Sequence, residues 1–349
     1  MVPVTQSNTM APILPEPISV LQDIRTSYDS VDLKSCVIAG LTSEPKSMPD
    51  LLLWDEQGMR NFNSWIQHQD YYPRSSELEI IHKYQDEIAQ SLPSTLVLVE
   101  LGCGSLYKTK SILSALACAN RTVHYYALDV SEGALSDSLE ELQTEFADRP
   151  AIKISGLLGT YEDCVKWLTD GASPCGLPSS TVCFLWLGNS VTNLGLSDAS
   201  ALISKFRNVC IGLDLQCSFL LTADCCTSDE RLMKAYEPIN GPSHTFMHHG
   251  LKTANEVLGW NVFDEKIWRC TVERDLDQNE LIFRYRPAVN VSLDIGSTVV
   301  HVQKNEGIQI TRSGKWSEKQ MGWIADRSGF RIEHIWRDLK RNYCLYFLL

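Results

Sequence analysis

The hydrophobic pattern changes character twice along the chain. Residues 16–92 read as mainly helical and carry charge throughout. From residue 95 short apolar, β-rich runs alternate with amphipathic segments. TLVLVEL (95–101) precedes KTKSILSALACA, TVHYYALDV (122–130) precedes EGALSDSLEELQTEF, and AIKISGLL (151–158) precedes YEDCVKWL. TVCFLWLG (181–188) precedes SDASALISKFRNV, and SFLLTADC (218–225) closes the series. Such alternation predicts a parallel sheet with right-handed crossovers. After a helical stretch at 229–258, residues 261–312 break into short strand-like runs. DLDQNE and KNEG between them predict hairpin turns in a small antiparallel sheet. A helix is expected at 317–328, and FRIEHIWRD and RNYCLYFLL predict a terminal strand pair.

These shifts divide the chain into a disordered tail (1–15), an N-terminal helical part of a substrate domain (16–75), a sheet domain (76–228 and 317–349) and an inserted β-rich part (229–316). With 349 residues and 44% apolar content, the chain suffices for one large core or two smaller ones. The net charge of −12 argues against a nucleic-acid partner, because phosphate binding needs clustered Lys and Arg. The twelve cysteines are scattered apart from Cys225-Cys226 and form no C-x-x-C pair, so neither a zinc ribbon nor a disulfide framework is supported. No apolar run approaches the roughly 20 residues that span a bilayer, and the N-terminus lacks the basic-apolar signal pattern. The expectation is a cytoplasmic monomer with no nucleic-acid, membrane or metal partner, acting on a small molecule.

The chemistry begins at VELGCGSLYKT (99–109). Gly102 and Gly104 follow a strand and open a helix, which allows a tight turn and close backbone approach to a ligand. A dinucleotide fingerprint needs a third glycine where Tyr107 stands. The next strand-end acid, Asp129, suits a ribose. The missing glycine, the single mononucleotide half and the late strand pair together favour S-adenosylmethionine over NAD. The fold class expected is α/β: a Rossmann-like class I S-adenosylmethionine methyltransferase sheet with an inserted α+β substrate-binding domain.

Several stretches then resemble one family. They are GLTSEPKSMPDLLLWDEQG (40–58), DYYPRSSELEII (70–81), the glycine loop, YALDVSEGAL (126–135), LGNSVTNL (187–194), ERLMKAYEPINGPSHTF (230–246) and the C-terminal SGKW and FRIEHIWRD. The chain from about 35 onward resembles the histidine-specific methyltransferases, which include ergothioneine-pathway histidine Nα-trimethyltransferases and fungal relatives acting on tryptophan or dimethylallyltryptophan. The resemblance implies a cofactor side made of Gly102, Gly104, Lys108, Asp129, Gly159, Thr160 and Tyr161, with S-adenosylhomocysteine as by-product. It implies that Tyr71, Gly188, Asn193 and Tyr236 meet the backbone groups of an amino-acid substrate and that Phe62 walls the pocket, with Asn193 and Tyr71 nearest the chemistry. These residue types fit a zwitterion, since neutral donors and acceptors orient it without a strong counter-charge on the amine.

The sequence departs from the histidine enzymes at the side-chain pocket. Those carry a Glu-x-Ser pair where this chain has Thr311 and Ser313, and a methionine where it has Phe283. Losing the carboxylate removes a charge-assisted bond to a polar ring and a buried charge that an indole balances poorly. Trp54 stands where they have a tyrosine, which bears on methyl number. The resulting expectation is Nα-methylation of L-tryptophan, once or twice, by in-line attack of the neutral amine with no covalent intermediate. Alternatives are a prenylated tryptophan, histidine, a non-catalytic cofactor-binding protein, and an NAD oxidoreductase. In HTFMHH (244–249), His244 and His248 have helical spacing but lack the glutamate of a zinc motif, so an ordinary helix turn is expected.

Overall fold

The computed structural model describes residues 21–26, 32–104, 106–170, 181–237, 239–296 and 298–349. The expected tail at 1–15 lies outside them. The strands are β1 (Leu21–Asp23), β2 (Thr95–Leu101), β3 (Thr122–Asp129), β4 (Ile152–Leu158), β5 (Thr181–Trp186), β6 (Gln216–Asp224), β7 (Trp268–Asp275), β8 (Glu280–Pro287), β9 (Val291–Asp294), β10 (Val299–Val302), β11 (Ile308–Gly314), β12 (Ile332–Arg337) and β13 (Tyr343–Leu348). The helices are α1 (Leu33–Thr42), α2 (Glu56–Ile66), α3 (Tyr72–Ser91), α4 (Tyr107–Cys118), α5 (Glu132–Glu145), α6 (Tyr161–Thr169), α7 (Leu196–Gly212), α8 (Asp229–Tyr236), α9 (Gly241–Leu258) and α10 (Glu318–Ser328).

One sheet dominates, in the order β1-β4-β3-β2-β5-β6-β13-β12. Its first six strands are parallel, and β13 and β12 add antiparallel at the far edge. The continuous apolar runs follow from burial of both faces. In β2, Leu96 and Leu98 enter a core shared with α3, α4 and α5, while Val97, Val99 and Leu101 enter another shared with α6, α7 and α10. The winding reverses between β2 and β5, and ligands of open α/β sheets bind at the carboxyl ends of such strands.

A third core joins α1, α2, α8 and α9 to the small sheets. Two expectations need correction. Residues 21–23, within the stretch read as helical, form β1, which pairs in parallel with β4 as an extra strand of the main sheet. KNEG is not a hairpin turn: β10 pairs with β9, whereas β11 leaves that pair to join β8 and β7 in a separate three-stranded sheet. A turn sequence fixes a local reversal, but here the strands on either side take different partners. DLDQNE does connect the paired β7 and β8.

Candidate active site

The glycine loop is shaped by its backbone. Gly102 and Gly104 have φ of 73° and 46°, conformations that side chains disfavour. The N–H groups of Gly102 and Cys103 both donate to the Leu128 carbonyl at 3.0 Å, tying the loop to β3. A Cβ on Gly104 would meet nothing within 4 Å, so its backbone borders open space, whereas one on Gly102 would stand 3.2 Å from the Tyr161 hydroxyl. Asp129, at the end of β3, accepts from the N–H groups of Val130 (2.8 Å), Ser131 (3.1 Å) and Gly104 (3.2 Å). These bonds orient a carboxylate at the mouth of the loop. Beneath, the buried Glu100 accepts from the hydroxyls of Tyr125 (2.5 Å) and Thr109 (2.7 Å), fastening α4 to the sheet. Burial outweighs those bonds and pushes its pKa up to about 7.

The loop opens into a cavity of about 460 Å³. Gly102, Gly104, Lys108, Asp129, Gly159, Thr160 and Tyr161 line it, as do Trp54, Phe62, Tyr71, Gly188, Asn193, Tyr236, Phe283, Thr311 and Ser313. Every site residue named from the sequence therefore faces one space. Asn193 ends the 3₁₀ turn Ser190–Asn193, and Gly195 is the N-cap of α7, so Asn193 is not engaged as a helix cap. Thr311 lies opposite Phe283 in the β11–β8 pair, just after a register irregularity at Gln309.

The wall on the α2 side is aromatic. Trp54 stands edge-on to Phe62 at 5.0 Å, and Phe62 lies 5.3 Å from Phe246. Trp65 sits 5.3 Å from Tyr71, which lies 5.5 Å from Tyr236. Burial raises the pKa of Tyr71 and Tyr236 and pushes that of Tyr161 up to about 12, so all three are neutral donors at physiological pH.

Beneath this wall lie charges that sequence reading missed. Glu77, on α3, is 1% exposed and accepts from the Gly188 N–H (2.6 Å), the Thr222 hydroxyl (2.7 Å) and Lys108 Nζ (2.9 Å). It fixes the loop after β5 and holds Lys108 beside it. Asp224, at the end of β6, accepts from Tyr72 (2.5 Å), Tyr236 (3.3 Å) and Lys315 Nζ (3.0 Å). Lys315 is fully buried, donates to Ser313 Oγ at 2.8 Å and lies 4.0 Å from the Tyr236 ring. Burial lowers its pKa, with Asp224 opposing. Asn189, at φ 64°, accepts from the Asp224 N–H at 2.7 Å and donates to Ser313 Oγ at 3.2 Å. Ser313 thus accepts two hydrogen bonds and has its own proton free to donate. The available signals were the Gly-Asn step after β5 and single charges ending or flanking apolar runs.

His244 and His248 stack at 4.0 Å on α9, and burial with the neighbouring His244 lowers the pKa of His248 to about 4. Among the described residues no cluster of three or more His, Cys, Asp or Glu side chains is placed to hold a metal ion, and no helix is long and apolar enough to cross a membrane.

Comparison with known proteins agrees with this geometry. Residues 33–349 match the model of an S-adenosylmethionine-dependent, histidine-specific methyltransferase. The chain is similar to N-methyltransferase benX of Aspergillus terreus, at 39% identity over 93% of this chain and 91% of that one. It is similar to 4-dimethylallyltryptophan N-methyltransferase easF of Claviceps fusiformis, at 31% identity over 92% of each. Ergothioneine biosynthesis protein 1 of Neurospora crassa is 30% identical over 90% of this chain but only 35% of its own length.

Proposed function

Because this chain belongs to the S-adenosylmethionine-dependent, histidine-specific methyltransferase family, we propose that it methylates the α-amino group of L-tryptophan. The observation carrying this reading is the Thr311–Phe283 pair on the wall of an aromatic cavity, where the family's histidine enzymes hold a glutamate. A flat apolar ring gains from burial against Phe283 and Trp54, and the Thr311 hydroxyl can accept a single ring N–H.

The residues present fit the cofactor: open space beside Gly104, an oriented carboxylate at Asp129 and the Gly159–Tyr161 wall surround one end of the cavity. When bound, S-adenosylmethionine supplies a sulfonium-activated methyl group. The chain itself binds and orients the acceptor. Tyr71 and Asn193 offer neutral donors to the substrate's carboxylate, while Tyr236 and Gly188, whose protons go to Asp224 and Glu77, offer oxygens that can accept from its amine. Holding reactants in a productive orientation is worth up to roughly 7–11 kcal/mol. The amine must shed its proton, and the raised pKa values of Tyr71 and Tyr236 keep those phenols from acting as bases. Asp50 lines the same cavity, where burial raises its pKa, and is a carboxylate suited to receive that proton.

A prenylated tryptophan is the second reading, supported by the relative named for 4-dimethylallyltryptophan. The test incubates the protein with S-adenosylmethionine and each of the twenty amino acids, or 4-dimethylallyltryptophan, and follows mass gain and methyl number. Methylation of histidine alone would sink the proposal.

A further inference from the structure

The Gly159–Tyr161 wall is held from behind by a segment far away in sequence. Residues Leu21, Gln22 and Asp23 pair in parallel with Gly156, Leu157 and Leu158, the strand that runs directly into this wall. The Ile24 N–H continues the ladder to the Leu158 carbonyl at 3.0 Å. Ile24 also packs against Gly159 so closely that a Cβ there would stand 2.9 Å from its Cγ1. Beyond the strand, Thr26 reaches the first turn of α6. Its N–H and hydroxyl both donate to Asp163 Oδ1 at 3.1 Å. The other oxygen of the same carboxylate, Oδ2, accepts from the Thr160 N–H at 2.9 Å and the Thr160 hydroxyl at 2.8 Å. Asp163 therefore bridges the N-terminal segment and a residue that lines the cavity. Further along α6, Trp167 Nε1 donates to Gln22 Oε1 at 3.2 Å.

We propose that residues 21–26 form a clasp that fixes the cofactor-facing wall, with Asp163 as its positioning residue, and so set the affinity for S-adenosylmethionine. The chemistry is a shared carboxylate. One oxygen orders Thr160 and the start of α6, and the other is ordered by Thr26. A capping box alone leaves a loop free to swing about its helix, whereas a second anchor on the opposite oxygen fixes the rotation of the carboxylate and hence the position of Thr160. Tyr161 follows at once, its hydroxyl beside Gly102, so the clasp reaches both walls of the cofactor end. None of the clasp residues lines the cavity, and the amino-acid end is built from other elements. The inference rests on the cofactor and not on which amino acid is methylated.

Three variants of the full chain test it. Thr26→Pro removes both donors to Asp163, Thr26→Val removes the hydroxyl alone, and Asp163→Asn places an N–H₂ against a donor on one side. Arg25→Ala is the control, since Arg25 pairs on the surface with Asp23. Calorimetry with S-adenosylhomocysteine should show Kd raised roughly five- to twentyfold for Thr26→Pro and Asp163→Asn, about the effect of losing one hydrogen bond. KM for S-adenosylmethionine should rise in step, with KM for the amino acid within about twofold of wild type, a split that general loosening does not produce. A Kd unchanged in Asp163→Asn and Thr26→Pro, or a parallel rise in both KM values, overturns the proposal. Should Thr26→Pro not fold, Thr26→Val and Asp163→Asn decide by the same criteria.

Discussion

Replacing Thr311 with glutamate puts the substrate reading at risk. Thr311 faces the cavity opposite Phe283, which is 2% exposed, with Tyr236 at 3% nearby. The two cations nearest to it in sequence are already engaged, Lys315 with Asp224 and Arg312 with Glu280, so a carboxylate introduced among these rings competes with existing partners. Against a bound imidazole, the new carboxylate makes a charge-assisted hydrogen bond worth about 1.5–3 kcal/mol, or roughly 10- to 150-fold in kcat/KM. Against an indole, it displaces apolar contact and must stay protonated or desolvated, a loss of similar size. The two effects act on opposite substrates, so the histidine-to-tryptophan ratio of kcat/KM should rise by roughly 10²–10⁴. A competition assay reads this ratio directly: both amino acids share one tube with limiting S-adenosylmethionine, and methylated products are counted by mass spectrometry. Thr311→Val serves as companion, lowering tryptophan turnover by about fivefold if the hydroxyl accepts the ring N–H. A ratio that moves less than threefold, in a Thr311→Glu protein that melts normally and binds S-adenosylhomocysteine, would refute the assignment of this position to the substrate ring.

Lys315→Met leaves Asp224 buried without its cation and should cost about 3–5 kcal/mol, seen as a fall in the denaturant midpoint; adding Asp224→Asn should restore part of it. Glu100 holds its proton up to about pH 7 in the fold but only to its ordinary 4.5 when unfolded. The stability it contributes is full below 4.5 and lost as pH rises through 7, about 3 kcal/mol at ~1.4 kcal/mol per pKa unit. Glu100→Gln should erase that slope in melts between pH 5 and 8, and an unchanged slope would locate it elsewhere. If Asp50 takes the amine proton, Asp50→Asn should lower kcat by about 100-fold with S-adenosylhomocysteine binding intact; an unaltered kcat assigns the proton to water.

What the sequence made legible was local. Gly102 and Gly104 are recognisable because a strand, a turn and a helix start within a dozen residues of one another, and Asp129 because it ends the very next strand, to which the glycine loop is hydrogen-bonded. The aromatic and amide residues of the cavity were legible through motif resemblance, since Tyr71, Gly188 and Asn193 stand in runs that keep their spacing. The missed features depend on distant pairing. Glu77 meets Gly188 and Thr222 across separations of 111 and 145 residues, and nothing beside it in YPRSSELEII marks it as buried. Three residues at Leu21–Asp23 have no alternation to read; they are a strand because β4 offers an edge. Lys315 in SGKW looks like a solvated turn lysine and is fully buried, because Asp224 and Ser313 wait for it.

Those hidden charges also bear on how a zwitterion is handled. Around the cavity Glu77 is answered by Lys108, Asp224 by Lys315, Glu280 by Arg312 and Glu162 by Lys205. Each pair cancels nearly in place, so that among the described residues the cavity carboxylates outside an ion pair include Asp129, held by backbone N–H groups at the cofactor loop, and Asp50, the proposed proton acceptor. A cationic amine held by a naked carboxylate would keep its proton and be a poor nucleophile; the same amine against neutral groups, partly desolvated, gives the proton up more easily. The paired charges thus fix Gly188, Tyr236 and Ser313 in position while adding little net charge of their own to the cavity.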